Sequence, residues 1–466
     1  MPRRLILIGF VLITLLFRPM AATYAQDQES GPTYIIQPGD TLNSIAERFG
    51  ITLNDLIEAN GITDPNLISQ GMTLIIPGLS GVSGELTTIS IPLGESLASL
   101  ASRYQVSIDF LNKINRLTSP AEIYAGSSII ILVRDNREKF NSTFQIVDES
   151  SLLDTSLKLD QNPWSLSLVQ NQKNQVSSLP GDLVLFQNAE SEKPFSPISP
   201  LFEAVEISPL PAVQGATAEI LIKANEPLKI NGALNNYPLH FIEFSENQYI
   251  ALQGIHAMAQ PGLIPFRLDY QTESGSNYSF EQSILLDSGD FGKDPPLLVA
   301  YETIDPVITK PEEELILSIV SNFSETRSWE GKWTPPIPDY ECIKSRFGNR
   351  RSYNGSDYIY FHTGVDFGVC VTPSLSIYAP ANGIVVFAGP LTVRGNTTIL
   401  DHGWGIYSAY FHQAEIKVDV GDKVAAGQEI GLIGATGRVT GPHLHWEIWV
   451  NGVQVQPLDW LIKQYP

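Results

Sequence analysis

His443 and His445 flank Leu444 in the stretch Gly441-Pro442-His443-Leu444-His445-Trp446-Glu447. Side chains alternate faces along a strand, so histidines at i and i+2 point into one space. Leu444, Trp446 and Ile448 then point the other way, into a core. Only seven histidines occur in 466 residues, and five of them (His362, His402, His412, His443, His445) fall in the last quarter, so the pair is not isolated. Upstream, His362 and Asp366 stand in Phe361-His362-Thr363-Gly364-Val365-Asp366, a spacing that lets an imidazole and a carboxylate converge. Two imidazoles and one carboxylate are a three-ligand zinc set that leaves a fourth position open for water or substrate. A structural site would close all four positions, usually with thiolates, and only Cys342 and Cys370 are at hand. Such a centre stays net positive, lowers the pKa of bound water from roughly 15.7 to about 7 and polarises a carbonyl. Hydrolysis also needs proton carriers in histidine's titration range. His412 is one, and whichever of His443 and His445 does not bind the metal is another.

These pieces belong to a longer ordered set. Ser345-Arg346-Phe347-Gly348-Asn349-Arg350-Arg351 comes first, then His362 to Gly368, then Ala379-Pro380-Ala381-Asn382-Gly383. Asp401-His402-Gly403-Trp404-Gly405, Tyr410-Phe411-His412, Gly421-Asp422-Lys423-Val424, Gly427-Gln428 and Gly434 through Glu447 follow. With this set, the region from about Trp329 to Leu461 resembles the lysostaphin-type zinc endopeptidases that cut peptidoglycan peptides, the M23 or LytM-like family. The resemblance implies one Zn²⁺ per chain held by His362, Asp366 and His445. It makes His412 and His443 the histidines that flank the water and stabilise the tetrahedral intermediate, which settles the ambiguity in the H-x-H pair. Gln413, where the family usually has Leu, and Val439, where a small polar residue is common, are departures that remove neither a ligand nor a proton carrier. His402, in an Asp-His-Gly context that suits a turn, reads as structural. Arg346, Arg350 and Arg351 are candidates to line a groove and meet a peptide carboxylate, with a solvated basic loop as the alternative.

The elements that must position these groups are short β-prone runs. They are Val385 to Phe387, Thr397 to Leu400, Tyr407 to Phe411, Glu429 to Ile433 and Trp446 to Val450, separated by Gly, Asn and Pro. An all-β, antiparallel-sheet peptidase domain is therefore expected over 329–463, with Gly-rich loops carrying the strand ends to the site. Arg3 and Arg4, an apolar run from Leu5 to Phe17 and a small-residue site ending at Ala25 read as an export signal over 1–25. The run is too short to span a bilayer comfortably, so no stable membrane span and a secreted, cell-wall-associated protein are expected. Export permits a disulfide between Cys342 and Cys370; two free thiols are the alternative.

Ahead of the catalytic region the chain repeats itself. Leu42 and Asn60 are separated by 18 residues, as are Leu97 and Asn115, and each copy closes on an apolar run after a glycine (Gly71 and Gly126). Each reads as strand, helix, helix, strand. Copies at 33–78 and 87–133 resemble LysM modules, α+β units that bind N-acetylglucosamine-containing glycans such as peptidoglycan. The resemblance places the sugar at Gly39, Asp40 and Thr41, with Asn60 in a capping or packing role. A divergent third copy, 143–187, keeps the step from Leu153 to Asn171 but loses most signature residues. From 201 to 288, strands at Phe202 to Ile207, Ala218 to Lys223, His240 to Ser245, Tyr249 to Leu252, Leu263 to Tyr270 and Tyr278 to Leu286 predict an immunoglobulin-like β-sandwich acting as a spacer. A linker over 289–328 follows, with a helix opening at Pro311 and running to about Phe323. Twenty-nine basic against fifty acidic residues, a net charge of -21, argue against nucleic acid as a partner. Peptidoglycan is the expected partner, its glycan through the repeats and its peptide through the peptidase groove. A non-catalytic member of the same fold is the rival reading, and retention of all three ligands and both proton carriers weighs against it.

Overall fold

The structure is a computed structural model. It describes residues 31–466 except 80–81, 120–121, 135–141, 146–149, 165, 167–176, 179–182, 187–195 and 372–373. The export signal at 1–25, and Asn171 and Gly181 of the third repeat, lie outside the described residues. The chain forms two compact units, residues 1–86 and 87–466.

In the first unit, β1 (Thr33–Ile35) pairs antiparallel with β2 (Thr73–Ile75) and carries α1 (Leu42–Phe49) and α2 (Leu53–Ala59) between them. The helical spacing of Leu42, Ile45 and Ala46 buries one face of α1, and Tyr34, Ile36, Leu56, Leu74 and Ile76 are the other buried apolar residues of these elements. Thr41 caps α1, its hydroxyl accepting from the Ser44 amide while the Ser44 hydroxyl receives the Thr41 amide. Asn60 clips the unit shut: its Nδ2 donates to the carbonyls of Leu56 and Ile75, and its Oδ1 accepts from the Ile75 amide. The Asp40 side chain is buried, and its carboxylate receives the Tyr34 hydroxyl at 2.8 Å, the Gln37 amide at 2.8 Å and Arg48 at 3.1 Å. Of the three residues expected to meet a sugar, Asp40 and Thr41 thus hold the turn together with their side chains. Gly39, at φ +83, faces open space.

The second unit begins with the same plan. Its elements are β3 (Glu85–Ser90), α3 (Leu97–Arg103), α4 (Ile108–Asn115) and β4 (Ser128–Val133). Asn115 repeats the Asn60 clip on Leu111 and Ile130, which explains why the 18-residue step from Leu97 recurs. Leu93 and Ala125 of this module enter the core of the following sandwich, and the Leu285 amide donates to the Ala125 carbonyl at 2.8 Å. The divergent copy shows β5 (Ser142–Gln145), β6 (Ser150–Ser151), α5 (Leu152–Lys158), β7 (Ser177–Ser178) and β8 (Leu183–Phe186), with β5 against β8 and β6 against β7.

Nine strands then build two facing sheets. They are β9 (Phe202–Ser208), β10 (Ala212–Val213), β11 (Thr217–Ala224), β12 (Leu228–Leu234), β13 (Tyr237–Leu239), β14 (Ile242–Ser245), β15 (Gln248–Gly254), β16 (Gly262–Thr272) and β17 (Asn277–Asp287). The sheets run β14-β15-β11-β9 and β10-β17-β16-β12-β13, the order in which an immunoglobulin chain fills its two layers. Alternating residues such as Ile220, Ile222, Phe266 and Leu268 form the layer between them. The spacer reading needs correction: Ile250, Leu252 and Ala257 of the sandwich share one core with Trp329, Trp333 and Trp460 of the C-terminal region.

The linker helix also differs from expectation. α6 spans Pro306–Val320, opening five residues earlier than Pro311, because Asp305 caps it by accepting from the Val307 amide and Pro306 takes the first turn. Pro311 lies inside it. α6 docks Ile316 and Val320 on Ile399, Tyr407, Ala409, Phe411 and Trp449.

The C-terminal region is an antiparallel sheet running β18 (Ile343–Ser345), β21 (Val365–Phe367), β28 (Leu444–Val450), β25 (Ile406–Ile416), β24 (Gly395–Gly403), β23 (Gly383–Leu391) and β26 (Lys423–Val424). β22 (Ser376–Tyr378) joins β27 (Glu429–Ile433), which pairs with β25, and β29 (Val453–Val455) joins β28. The hairpin β19 (Arg350–Arg351) and β20 (Tyr360–Phe361) stands apart, and α7 (Pro457–Ile462) closes the chain. Period-two alternation along β28 sends Leu444, Trp446 and Ile448 into the large core. Trp449 goes to the opposite face, under α6.

Candidate metal centre

Three adjacent strands bring the site together. Asp366 on β21 lies directly opposite His445 on β28, and His445 lies opposite Phe411 on β25. The Phe411 ring stacks on the His445 imidazole at 5.4 Å. His412, next along β25, would face the other side of a regular strand. Between the pairs Asn396–Gln413 and Thr398–Tyr410, however, β25 has two residues where β24 has one. That bulge, with His412 at φ +62, brings its imidazole back to the His445 side, with ring centroids 6.1 Å from His445 and 5.0 Å from His443. His362 sits in the turn between β20 and β21, tied by its amide to the Asn349 carbonyl and by its carbonyl to the Gly348 amide.

His362 Nε2, Asp366 Oδ1 and His445 Nδ1 converge: 3.0 Å from His362 to Asp366, 2.9 Å from His362 to His445, and 2.7 Å from His445 to Asp366. The outer ring atoms fix the tautomers. A carbonyl only accepts, so the His362 Nδ1–H donates to Arg346 O at 3.0 Å, shared with the Ser345 hydroxyl at 2.9 Å. The His445 Nε2–H donates to the Glu447 carboxylate at 3.1 Å. Both imidazoles therefore aim lone pairs at an anionic oxygen, an arrangement that a cation relieves. A tetrahedral ion with bonds of about 2.0–2.2 Å separates its ligands by roughly 3.3 Å, slightly more than the spacing here, so the donors fit such an ion with a small outward adjustment.

The electrostatics agree. Burial holds the His362 imidazole down to about 4. Burial raises the Asp366 carboxyl, but His362 and His445 outweigh it and keep the group well below the usual carboxylate range. His445 is lowered by burial and raised more strongly by Asp366 and Glu447, a net upward shift that a cation at Nδ1 would oppose. His412 donates Nδ1–H to the Thr436 carbonyl at 2.8 Å, and burial lowers it to about 3, with the neighbouring His445 and His443 adding to the shift. Its Nε2 is thereby unprotonated. His443, just before β28, donates Nδ1–H to Gly441 O at 2.8 Å and holds Nε2 3.5 Å from Asp366 Oδ1. Five residues named from the sequence thus meet in one place.

Others do not join them as ligands. His402 is fully buried with both ring nitrogens engaged, by Asn382 O and the Ser408 hydroxyl at 2.7 Å each, and it ends β24 rather than lying in a turn. Arg350 reaches the Ala257 carbonyl of the sandwich at 3.3 Å and lies over the Phe291 ring. Arg351 abuts the site but spends its guanidinium on Asp294 and Asp366, at 3.0 Å each. Two of the three arginines proposed for a peptide carboxylate, Arg350 and Arg351, therefore have internal partners. Cys342 and Cys370 form a disulfide, with Cα atoms 6.0 Å apart.

Glu447 was not singled out from the sequence as a functional residue. It is 1% exposed and accepts from His445, from Trp449 Nε1 at 2.8 Å and from Gln454 Nε2 at 3.3 Å. Its position two residues past His445 on a strand, on the same face, is the signal that would have found it.

Residues 360–457 match the model for peptidase family M23, and residues 34–77 and 92–132 match that of the LysM domain. Among curated relatives, peptidoglycan DD-endopeptidase ShyA of Vibrio cholerae is 38% identical over 124 residues, covering 26% of this chain and 28% of that protein. DD-carboxypeptidase/endopeptidase Mpg of Neisseria meningitidis is 36% identical over 98 residues, covering 21% and 22%. The chain thus spans only about a quarter of the length of these relatives. The solved catalytic domain of the antimicrobial peptidase lysostaphin from Staphylococcus simulans is 31% identical, covers 26% of this chain and 92% of its own, and has a TM-score of 0.23. His362, Asp366 and His445 all lie within the matched stretch, and the chain carries an M23-family peptidase domain preceded by two LysM domains.

Proposed function

We propose that the chain is a zinc-dependent endopeptidase that hydrolyses peptide bonds in peptidoglycan stems or cross-bridges, exported and held on wall glycan by its LysM domains. The convergence of two imidazole lone pairs and a carboxylate oxygen beside two further imidazoles carries this reading. His362 Nε2, Asp366 Oδ1 and His445 Nδ1 would hold the ion, a donor set that suits zinc. When bound, zinc supplies Lewis acidity that polarises a carbonyl and acidifies water. His412, its Nδ1 proton fixed on Thr436, offers Nε2 to take a proton from the attacking water. His443, its Nδ1 proton fixed on Gly441, lies on the same side; carrying a second proton on Nε2, it would steady the negative oxygen by donating to it and pass that proton to the leaving amine, while His412 keeps the balancing proton taken from water. In the first LysM domain, the backbone around Gly39 would meet the sugar, while Asp40 holds the turn. Among the described residues no helix is long and apolar enough to cross a membrane.

The test compares wild type, His362→Ala and chelator-treated protein on purified peptidoglycan, with released muropeptides identified by mass spectrometry. Release by wild type alone is expected. Equal release by all three would overturn zinc hydrolysis.

A further inference from the structure

The segment joining the sandwich to α6 runs alongside the β19 strand. Lys293 bridges to Arg350 and Leu297 to Tyr353, and the Asp294 amide donates to the Arg350 carbonyl at 3.0 Å. This places the Asp294 carboxylate, 13% exposed, behind the metal ligands. Its Oδ1 accepts from Asn349 Nδ2 at 2.7 Å. Its Oδ2 accepts from the Ser345 hydroxyl at 2.7 Å and from Arg351 Nε at 3.0 Å. Each partner continues inward. Ser345 gives its proton to Asp294 and so presents a lone pair to the His362 Nδ1–H at 2.9 Å. Arg351 turns Nη2 onto Asp366 Oδ2 at 3.0 Å, leaving Oδ1 as the oxygen that faces His362 and His445.

We infer that Asp294 is a positioning residue for the metal centre, orienting two of its three ligands at once, His362 through Ser345 and Asp366 through Arg351. It lies outside the stretch matched to the peptidase family, 360–457, so the catalytic sheet borrows part of its outer sphere from the interdomain segment. Charge points the same way. Arg351 sets a fixed positive charge beside a cation site, and Asp294 balances it while Asp366 serves as ligand. Without Asp294 the guanidinium would compete with the ion for Asp366, and Ser345 would be free to rotate its proton toward His362.

The inference rests on the zinc reading and is tested on full-length protein. Zinc affinity is measured by competition with a chromogenic chelator for wild type, Asp294→Asn, Asp294→Ala and Ser345→Ala, with Glu313→Gln, an exposed acid on α6, as control. Thermal unfolding of the metal-free forms reports whether each is folded. Zinc binding about 10- to 100-fold weaker in the Asp294 variants is expected, with a smaller loss in Ser345→Ala and none in the control. Tight binding of one zinc by wild type with unchanged affinity in folded Asp294→Asn and Ser345→Ala would overturn the inference and leave the zinc reading standing. Failure of wild type to bind zinc would overturn both.

Discussion

Glu312 offers the sharpest test of how the catalytic loops are held. It projects from α6 and is 6% exposed, and its side chain reaches across to the loop around Val393. Its carboxylate receives the Val393 amide at 2.9 Å, the Arg394 amide at 3.0 Å and Arg394 Nη1 at 3.0 Å. The Arg394 carbonyl in turn accepts the His412 amide at 2.9 Å. Glu312→Ala leaves two peptide N–H groups without an acceptor and a partly buried guanidinium without its anion. Breaking one side of a buried pair costs about 3–5 kcal/mol. Glu312→Gln keeps one acceptor oxygen but turns an amide donor toward another donor, and should cost about 2 kcal/mol. Because α6 stays anchored by Ile316 and Val320, the loss should appear as local opening of the loop around Val393. Hydrogen exchange read on peptides covering 391–396 measures that opening directly. A shift of the His412 imidazole by about 1 Å would cost roughly 100-fold in turnover, with a smaller change in KM. If Glu312→Ala protects those amides like wild type and cleaves within twofold, the helix is packing and nothing more.

Glu447→Gln should weaken zinc binding about 10- to 100-fold, since the amide no longer anchors the His445 Nε2–H by charge; chelator competition reads it, and unchanged affinity refutes the role. Burial holds His402 down to about 4, against 6.5 for a free histidine. The unfolded chain therefore takes up a proton as pH falls below 6.5 while the native chain does not, and this group's stabilising contribution, complete above 6.5, declines until about 4, by about 3 kcal/mol in all. Denaturant unfolding of metal-free wild type and His402→Asn across that range should show their difference shrinking on acidification, and a pH-independent difference would count against it. Replacing Cys342 and Cys370 by Ser, with their separation of 28 residues, should lower stability by about 3–4 kcal/mol on the chain-entropy account. An unchanged denaturant midpoint would mean that the loop is already ordered in the unfolded state.

Much of this was legible in the residues because the governing interactions are local or periodic. The alternation of His445 against Leu444 and Trp446 fixed two faces of one strand, and the recurring step ends on Asn60, whose side chain ties the last turn of α2 to the closing strand. What escaped the sequence depended on distant partners. The direction of His412 follows from a bulge, visible only against β24. β12 was missed because Asn231-Gly232 reads as a turn, yet Gly232 is there because a Cβ would lie 2.5 Å from the Arg267 carbonyl of the next strand. Pro311 looked like a helix start since proline favours first turns, but Pro306 had taken that place. Arg350 and Arg351 looked available to a ligand because Ala257 and Asp294, their partners, are 93 and 57 residues away in the chain.

The second LysM domain feeds Leu93 and Ala125 into the sandwich core, and the sandwich feeds Ile250, Leu252 and Ala257 into the catalytic one. A flexible tether would let a cutting site sweep a spherical shell around its anchor, at a concentration set by tether length. Continuous apolar packing instead makes a ruler. Wherever the second module grips a glycan strand, scission would fall at one fixed offset, so mesh spacing in the wall would become a determinant of which bonds are reached.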